Sequence, residues 1–355
     1  MDKTRETTID INQIPYLTWT WLKINKDSVS YDFSLTENKG NEAQIPEGIN
    51  VSSGKSISTS LPEPRLPEPR FSIGKEAAKL ISDATKEGKI YTVEKSTSQP
   101  LIIRIKLDSN SATHQIIHAK AGTAANIIII YEGQAELAGV ITKVYAEDDS
   151  KLHISKVQLC GNNVNQIDDT AVICGERAKV SLTQIELGGA HIDVGFHATL
   201  DGYQSAFYSD TAYICQNNQY LDMNQVVVHK GQKTVCDMKT HGTAKDESTK
   251  TYRGTIDMVK GCAGSMGNEI ETTLLLSPKA VVKAAPIILC GEEDISAEHG
   301  STIGKLSKEM LFYMNSRSID QKTAEELLTN AKVTAAASSI ADENIRKEIE
   351  EFFQK

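Results

Sequence analysis

The sequence lacks the features of membrane, secreted and nucleic-acid-binding proteins. Its longest apolar run, residues 127–131, is far shorter than the roughly 20 residues a membrane helix needs. Lys and Arg number 38 against 47 Asp and Glu, a formal net charge of −9, which argues against binding a phosphate backbone. The first residues are polar and show no secretory signal. We therefore expect a cytoplasmic protein that binds neither membrane nor nucleic acid.

Closely spaced cysteine pairs are also missing. None of the six cysteines lies within four residues of another, whereas zinc-ribbon and ferredoxin-type sites use Cys-x-x-Cys pairs. Each cysteine lies in or beside an apolar, strand-like segment. We expect most of them to be small buried hydrophobes, kept reduced in the cytosol.

Motifs for hydrolysis or nucleotide binding are absent. Residues 300–305 read Gly-Ser-Thr-Ile-Gly-Lys, but a phosphate-binding loop needs four residues between its glycines and Ser or Thr after Lys. There is no Gly-x-Ser-x-Gly and no His-Glu-x-x-His. We therefore expect that the chain does not bind ATP. A carbohydrate-active β-helix enzyme is a remote alternative that would need clustered carboxylates or basic residues on one face.

Proline is absent from residues 101–277, which consist of short β-patterned runs separated by Gly- and Asn-rich turns. Several runs share the spacing apolar-x-apolar-x-x-apolar-x-apolar, as in Leu152, Ile154, Val157 and Leu159. If all four side chains face one core, the strand must bend at a bulge or corner between the pairs. Repeated corners favour a β-solenoid, and a β-sandwich with bulged strands is the alternative.

The flanking regions differ from this core, and we predict three regions. Residues 1–100 form a mixed and helical N-terminal region, with a proline-rich strut at 61–70 and a helix at 72–87. Residues 101–290 form the β core. Residues 291–355 form a helical C-terminal region, in which Ser307 and Asp320 are placed to cap helices.

Histidines and carboxylates in the β core suggest a metal site. His191, Asp193 and His197 are at odd positions and would share one face of a strand. Imidazole and carboxylate suit several divalent ions. The plainer interpretation, a polar solenoid face, is the one that we favour, and His114 and His118 are interpreted in the same way.

The segment after the core contains His-Gly-Ser-Thr at 299–302, Leu-Phe-Tyr at 311–313 and Ser-Arg-Ser-Ile at 316–319. These residues and their spacing resemble the C-terminal signature of the SufB/SufD family, the scaffold proteins of the SUF machinery for iron–sulfur cluster assembly. The resemblance implies a right-handed parallel β-helix core with helical ends, a mainly β fold.

The resemblance also implies a site. Gly300 and the acidic residues before it predict that His299 lies in a short turn. His299 corresponds to the family histidine implicated in nascent cluster assembly at the interface with SufB, and iron ligation is its most natural role. Cys290 and Cys262 are weaker candidates. The position of the essential SufB cysteine, nineteen residues after the Tyr of a Tyr-Arg-Gly motif at 252–254, holds Glu271. A carboxylate cannot carry persulfide. The chain therefore looks like SufD, although Ala297 replaces a cysteine that many SufD proteins have.

The resemblance finally implies partners. We expect a scaffold subunit that pairs with SufB and docks the ATPase SufC through the helical segment containing Leu311, Phe312 and Met314. The isolated chain would bind no cofactor stably, and the cluster would form at the interface with SufB. A self-sufficient, SufB-like homodimeric scaffold is the alternative, which would need a cysteine at its interface.

Overall fold

The computed structural model of the protein describes residues 6–17, 20–57 and 66–352. The N-terminal part is richer in strands than predicted. It contains β1 Thr7–Ile11, β2 Asp27–Tyr31, β3 Thr36–Glu37, β4 Glu42–Gln44, β5 Ile49–Ser53 and helix α1 Lys75–Ala84, with a short 3₁₀ turn at Thr20–Leu22. Residues 61–65 of the predicted strut lie outside the described residues, and 66–70 have no regular secondary structure.

Sixteen strands of similar length follow without a helix between them. They are β6 Lys89–Val93, β7 Leu101–Leu107, β8 Ser111–Ala119, β9 Ala124–Gly133, β10 Leu137–Ala146, β11 Lys151–Cys160, β12 Asn165–Cys174, β13 Lys179–Glu186, β14 His191–Leu200, β15 Ala206–Cys215, β16 Tyr220–His229, β17 Val235–Ala244, β18 Thr249–Met258, β19 Ser265–Leu275, β20 Val281–Cys290 and β21 Ile295–Gly304.

These strands wind into a parallel β-solenoid of about eight turns. Even-numbered strands β6–β20 lie side by side in one sheet and odd-numbered strands β7–β21 in a second, so each turn contributes one strand to each sheet. The alternative of a sandwich with bulged strands is wrong. The parallel strands begin at Lys89 and end at Gly304, outside both ends of the predicted core.

The bulge or corner that we predicted between the two apolar pairs of each repeat is also wrong. Strands β11 and β13 pair one to one from end to end, with Leu152 opposite Val180 and Val157 opposite Ile185. Leu152 therefore faces the solenoid interior, whereas Val157 faces outward and packs under the C-terminal helices. The apolar residues switch from even to odd positions along the strand because its first half contributes to the solenoid core and its second half to the core under the C-terminal helices.

Two outer layers cover the solenoid. Strands β1 and β2 and helix α1 cover the β6–β20 sheet, where Ile11, Val29 and Ile81 are buried. Helices α2 Lys308–Ser316, α3 Gln321–Ala337 and α4 Glu343–Phe352 follow the last strand. Val333 of α3 and Ile349 of α4 are buried against the β7–β21 sheet. No described helix is long and apolar enough to cross a membrane.

Local signals for the C-terminal helices are confirmed. The Ser307 side chain accepts a hydrogen bond from the Met310 amide at 3.0 Å and begins α2. The Asp320 carboxylate accepts one from the Thr323 amide at 2.8 Å and begins α3. Both contacts satisfy amide groups that the helix itself leaves free.

Candidate functional site

The final turn of the solenoid forms an open end. Strand β20 pairs with β18 and strand β21 pairs with β19, and no described strand pairs with the outer edge of either. Residues that would be buried inside an earlier turn are therefore only half-buried or exposed here, including Ile288 and Ile303. We call these two strands the open edge.

His299 lies in the middle of β21, not in the turn that the sequence suggested. It is paired in register with Glu269 of β19. Glu269 is buried inside the solenoid, and neighbouring strands in register present their side chains to the same face. His299 is therefore on the inward-facing side of the last turn, exposed because no further turn covers it.

Glu269, the in-register neighbour of His299 on β19, is a buried carboxyl group with a perturbed pKa. Its side chain is buried, and the Tyr252 hydroxyl is close enough to interact with the carboxylate, although neither oxygen accepts a hydrogen bond of good geometry from a described residue. Burial raises the pKa of Glu269 to about 8. A carboxyl group one strand below an exposed imidazole can hold a proton or accept a positive charge at this end of the solenoid.

Glu271, at the position of the SufB cysteine, is also buried, and both of its carboxylate oxygens have hydrogen-bond partners. Lys250 Nζ lies 2.6 Å from its Oε1, Ser301 Oγ donates to its Oε2 at 2.6 Å, and Thr273 also donates to it. Burial alone would raise the pKa of Glu271, but the Lys250 charge and these hydrogen bonds lower it. Glu271 is thus a buried, ion-paired carboxylate.

The two weaker candidates differ in access. Cys290 is the last residue of β20 and is exposed at the open end. Cys262 is buried in the solenoid core, in the turn between β18 and β19, and burial raises the pKa of its thiol. A buried thiol with a raised pKa is a poor ligand for an incoming metal. Of the six free cysteines, only Cys290 is exposed.

Helix α2 has no buried residue. Phe312 is 77% exposed, and Tyr313 and Met310 are also exposed, whereas Leu311 and Met314 are half-buried. Of the predicted docking residues, Phe312 is thus fully available and the other two are partly used in packing.

The suggested metal ligands in the β core divide into two groups. The ring nitrogen Nε2 of His191 lies 3.1 Å from Asp27 Oδ2 and 3.4 Å from Asp193 Oδ2. Burial alone would lower the pKa of His191, but Asp193 and Asp27 together raise it to about 10. His197 is not part of this group, and burial lowers its pKa to about 4.

His114 and His118 do not meet each other in a site. Burial lowers the pKa of His114 to about 4, and His118 Nε2 lies 2.7 Å from Glu147 Oε1.

Sequence reasoning missed Asp27, Lys250 and Glu269. Lys250 shares the inward positions of β18 with apolar residues such as Tyr252 and Ile256, which is a local signal for burial. The other buried inward positions of β19 are polar or glycine, so Glu269 carried no such signal.

Comparison with known proteins settles the family. The family model for the SufBD core domain of SUF-system iron–sulfur cluster assembly matches residues 103–332, well over half of the chain. The chain belongs to the SufBD family. The matched segment contains the solenoid from β7 onward, the open edge with His299, and most of α3.

Curated relatives agree with this assignment and favour SufD. The chain is 25% identical over 153 residues to the iron–sulfur cluster assembly protein SufD of Bacillus subtilis, 42% of this chain and 35% of that protein. It is 24% identical over 165 residues to SufD of Escherichia coli, 46% of this chain and 38% of that protein.

A plant relative matches at a similar level. A chloroplastic SufBD family protein of Arabidopsis thaliana is 25% identical over 199 residues, 53% of this chain and 35% of that protein. The chain thus spans between 35% and 38% of the length of these three relatives. It is SufD-like.

Proposed function

We propose that this protein is a SufD-like scaffold subunit that pairs with a SufB-type subunit through the open edge. The observation that carries the proposal is the position of His299, exposed on the inward side of the last turn and one strand above the buried Glu269. A partner strand added to this edge would satisfy the free backbone groups of β21 and enclose His299 between two subunits.

In this arrangement His299 acts as an iron ligand or proton-handling group for the nascent cluster, which is the cargo of the complex. Glu269 below it supplies a compensating negative charge once it loses its proton. The chain has no turnover of its own and carries no resident cofactor. The proposal takes the solenoid to be right-handed, which is the usual hand of crossover connections between parallel strands of one sheet.

The proposal includes docking of the SufC-type ATPase on α2. Phe312 offers a large apolar side chain on a helix without any buried residue, and such aromatic anchors dominate protein interfaces.

All six thiols are free, which fits a reducing compartment. The proposed compartment is the cytoplasm.

A SufB-like homodimeric scaffold is the second candidate, and the exposed thiol of Cys290 at the open end favours it. In a homodimer this thiol would serve both subunits as a cluster ligand. Cys290→Ser separates the two candidates, because it abolishes cluster formation only in the homodimer.

The test is reconstitution with purified SufB- and SufC-type partners, followed by visible absorbance and iron content. We expect a stable complex in which His299→Ala abolishes cluster formation while the melting temperature of the isolated chain is almost unchanged. Glu298→Ala is the matched control, since Glu298 is also exposed on β21 but points to the opposite face. Wild-type cluster formation by His299→Ala would overturn the role of this residue.

The same reconstitution tests docking. Phe312→Asp should weaken binding of the ATPase by about 2 kcal/mol, the usual size of an interface hot spot. Asn315→Asp adds the same charge to an exposed polar position of α2 and should change the affinity little. Equal affinity for both variants would show that α2 only covers the solenoid.

A further inference from the structure

Two carboxylates from distant parts of the chain converge on one imidazole nitrogen outside the solenoid interior. Asp27 lies on β2 and His191 and Asp193 on β14, and the three ligand atoms all lie within 4.8 Å of one another. The Nε2 atom is 3.1 Å from Asp27 Oδ2 and 3.4 Å from Asp193 Oδ2. Ligand atoms around a first-row metal ion, each about 2.0–2.2 Å from the ion, are separated by similar distances.

The second observation is a buried side chain in this group that lacks a hydrogen bond. Asp193 has 0% exposure, and neither of its carboxylate oxygens accepts a hydrogen bond of good geometry from a described residue. Its ionic contact with His191, at 3.4 Å, is shared with Asp27, and a buried carboxylate compensated only in this way is costly. Because His191 and Asp27 are half-buried, an ion could reach this carboxylate from their side.

The surrounding charge is negative. Asp222 of β16 is paired in register with Asp193 and is also fully buried. Its Oδ1 accepts hydrogen bonds from Asn12 and from Arg253, while its Oδ2 accepts none. Three carboxylates thus face one guanidinium and one imidazole, so a neutral imidazole leaves a net negative charge.

A protonated His191 is the competing explanation, and it leaves the site incompletely satisfied. The single hydrogen on Nε2 points to one acceptor, so it cannot satisfy both Asp27 and Asp193. The pair formed by His241 and Asp210 shows the simple case, in which Nε2 lies 2.7 Å from one carboxylate oxygen. His191 lies farther from each of its two carboxylates than His241 does from its one.

We propose that Asp27, His191 and Asp193 bind a divalent first-row metal ion. One imidazole and two carboxylates suit Mn²⁺, Fe²⁺ or Zn²⁺, whereas Ca²⁺ takes six to eight oxygens. Because Asp27 belongs to the β1–β2 pair and the other two ligands to the solenoid, the ion fastens the N-terminal layer to the β6–β20 sheet. Arg253, whose Nε donates to the Ile24 carbonyl at 2.6 Å, makes a second link beside it.

The test is binding of Mn²⁺ and of Zn²⁺ to the full-length, metal-free chain, by calorimetry and by Mn²⁺ electron paramagnetic resonance. We expect one equivalent to bind and saturating metal to raise the melting temperature by several degrees. Asp193→Asn and Asp27→Asn should each weaken binding at least tenfold. Asp27→Asn changes a half-buried strand residue and keeps the test valid should the buried Asp193→Asn variant fail to fold.

His241→Ala is the matched control, because it removes an imidazole paired with a single carboxylate. It should leave one tight site. The proposal is overturned if wild type binds no better than Asp27→Asn, or if His241→Ala and His191→Ala lower binding equally. Neither result bears on the scaffold role, because no partner protein is present in these measurements.

Discussion

The two ends of the solenoid are built differently. At the first end, β4 pairs antiparallel with β7 and β5 pairs antiparallel with β6, so the N-terminal region covers both sheet edges. At the other end, β20 and β21 have no described neighbour on their outer edges. One end is closed by the chain itself, and the other presents two ten-residue strands to whatever binds there.

The solenoid interior also differs between the two ends. Near the capped end it is mainly aliphatic, with Val93, Leu101, Ile103 and Ile117 in contact within one core. Toward the open end it contains Lys250, Glu269 and Glu271, all buried. Exposed edges promote unwanted association and natural proteins usually protect them. Under the proposed function, the unpaired edge above these buried charged groups is the surface where the partner and the nascent cluster would bind.

We expect the largest effect from a substitution in the solenoid interior near the open end. Lys250→Met leaves Glu271 as an uncompensated buried charge and should lower the free energy of unfolding by about 3–5 kcal/mol. Ile103→Met at the capped end conserves volume and apolar character, and should cost less than about 1.5 kcal/mol. Urea unfolding of the two variants measures the difference.

A second variant tells charge from packing. Lys250→Met combined with Glu271→Gln should recover a large part of the loss, because no uncompensated charge remains. If the double variant is no more stable than Lys250→Met, the loss of stability in Lys250→Met does not come from breaking the ion pair.

The next prediction concerns the edges themselves. Ile303 on β21 is 46% exposed and Ile45, beside β4 at the capped end, is 47% exposed. Ile303→Lys should weaken the complex with a SufB-type subunit by about 2 kcal/mol, and Ile45→Lys should leave it unchanged. Sedimentation or calorimetric titration gives both affinities. Equal loss at the two ends would contradict pairing through the open edge.

These contrasts also show what the sequence could reveal. Helix caps such as Ser307 and Asp320 are local and were predicted, because donor and acceptor are three residues apart. The β-solenoid was predicted from strand spacing, but the reason given was wrong. Apolar residues at Val157 and Ile185 pack under α3 and α4, and nothing within a strand tells which of two cores a residue joins.

The site was harder to predict than the fold. His299 was identified by resemblance, but Gly300 and the nearby acidic residues suggested a turn, whereas pairing with β19 makes the segment a strand. Asp27 meets His191 across 164 positions, a distance over which strand periodicity carries no information. Charged residues on inward strand positions become visible only when the register is known.

The smallest expected effect is a pH dependence specific to the open end. Glu269 has a pKa of about 8 in the folded chain and near 4.3 when unfolded. Between these values the folded state holds a proton that the unfolded state has lost. Stability therefore falls as pH rises from about 5 to about 8, and the penalty is constant above that.

Glu269→Gln should remove the part of this dependence that Glu269 contributes, whereas the buried carboxyl groups of Asp169 and Asp193, whose pKa values are also raised, keep theirs. The variant should differ little from wild type at pH 5 and be more stable by on the order of 1–3 kcal/mol at pH 9. Glu298→Gln, exposed on the adjacent strand, should follow the wild-type curve. Unfolding in urea at four or five pH values measures all three. A parallel pH profile for wild type and Glu269→Gln would mean that this carboxyl group is already ionised at neutral pH, and that the open end holds its charge without help from a partner.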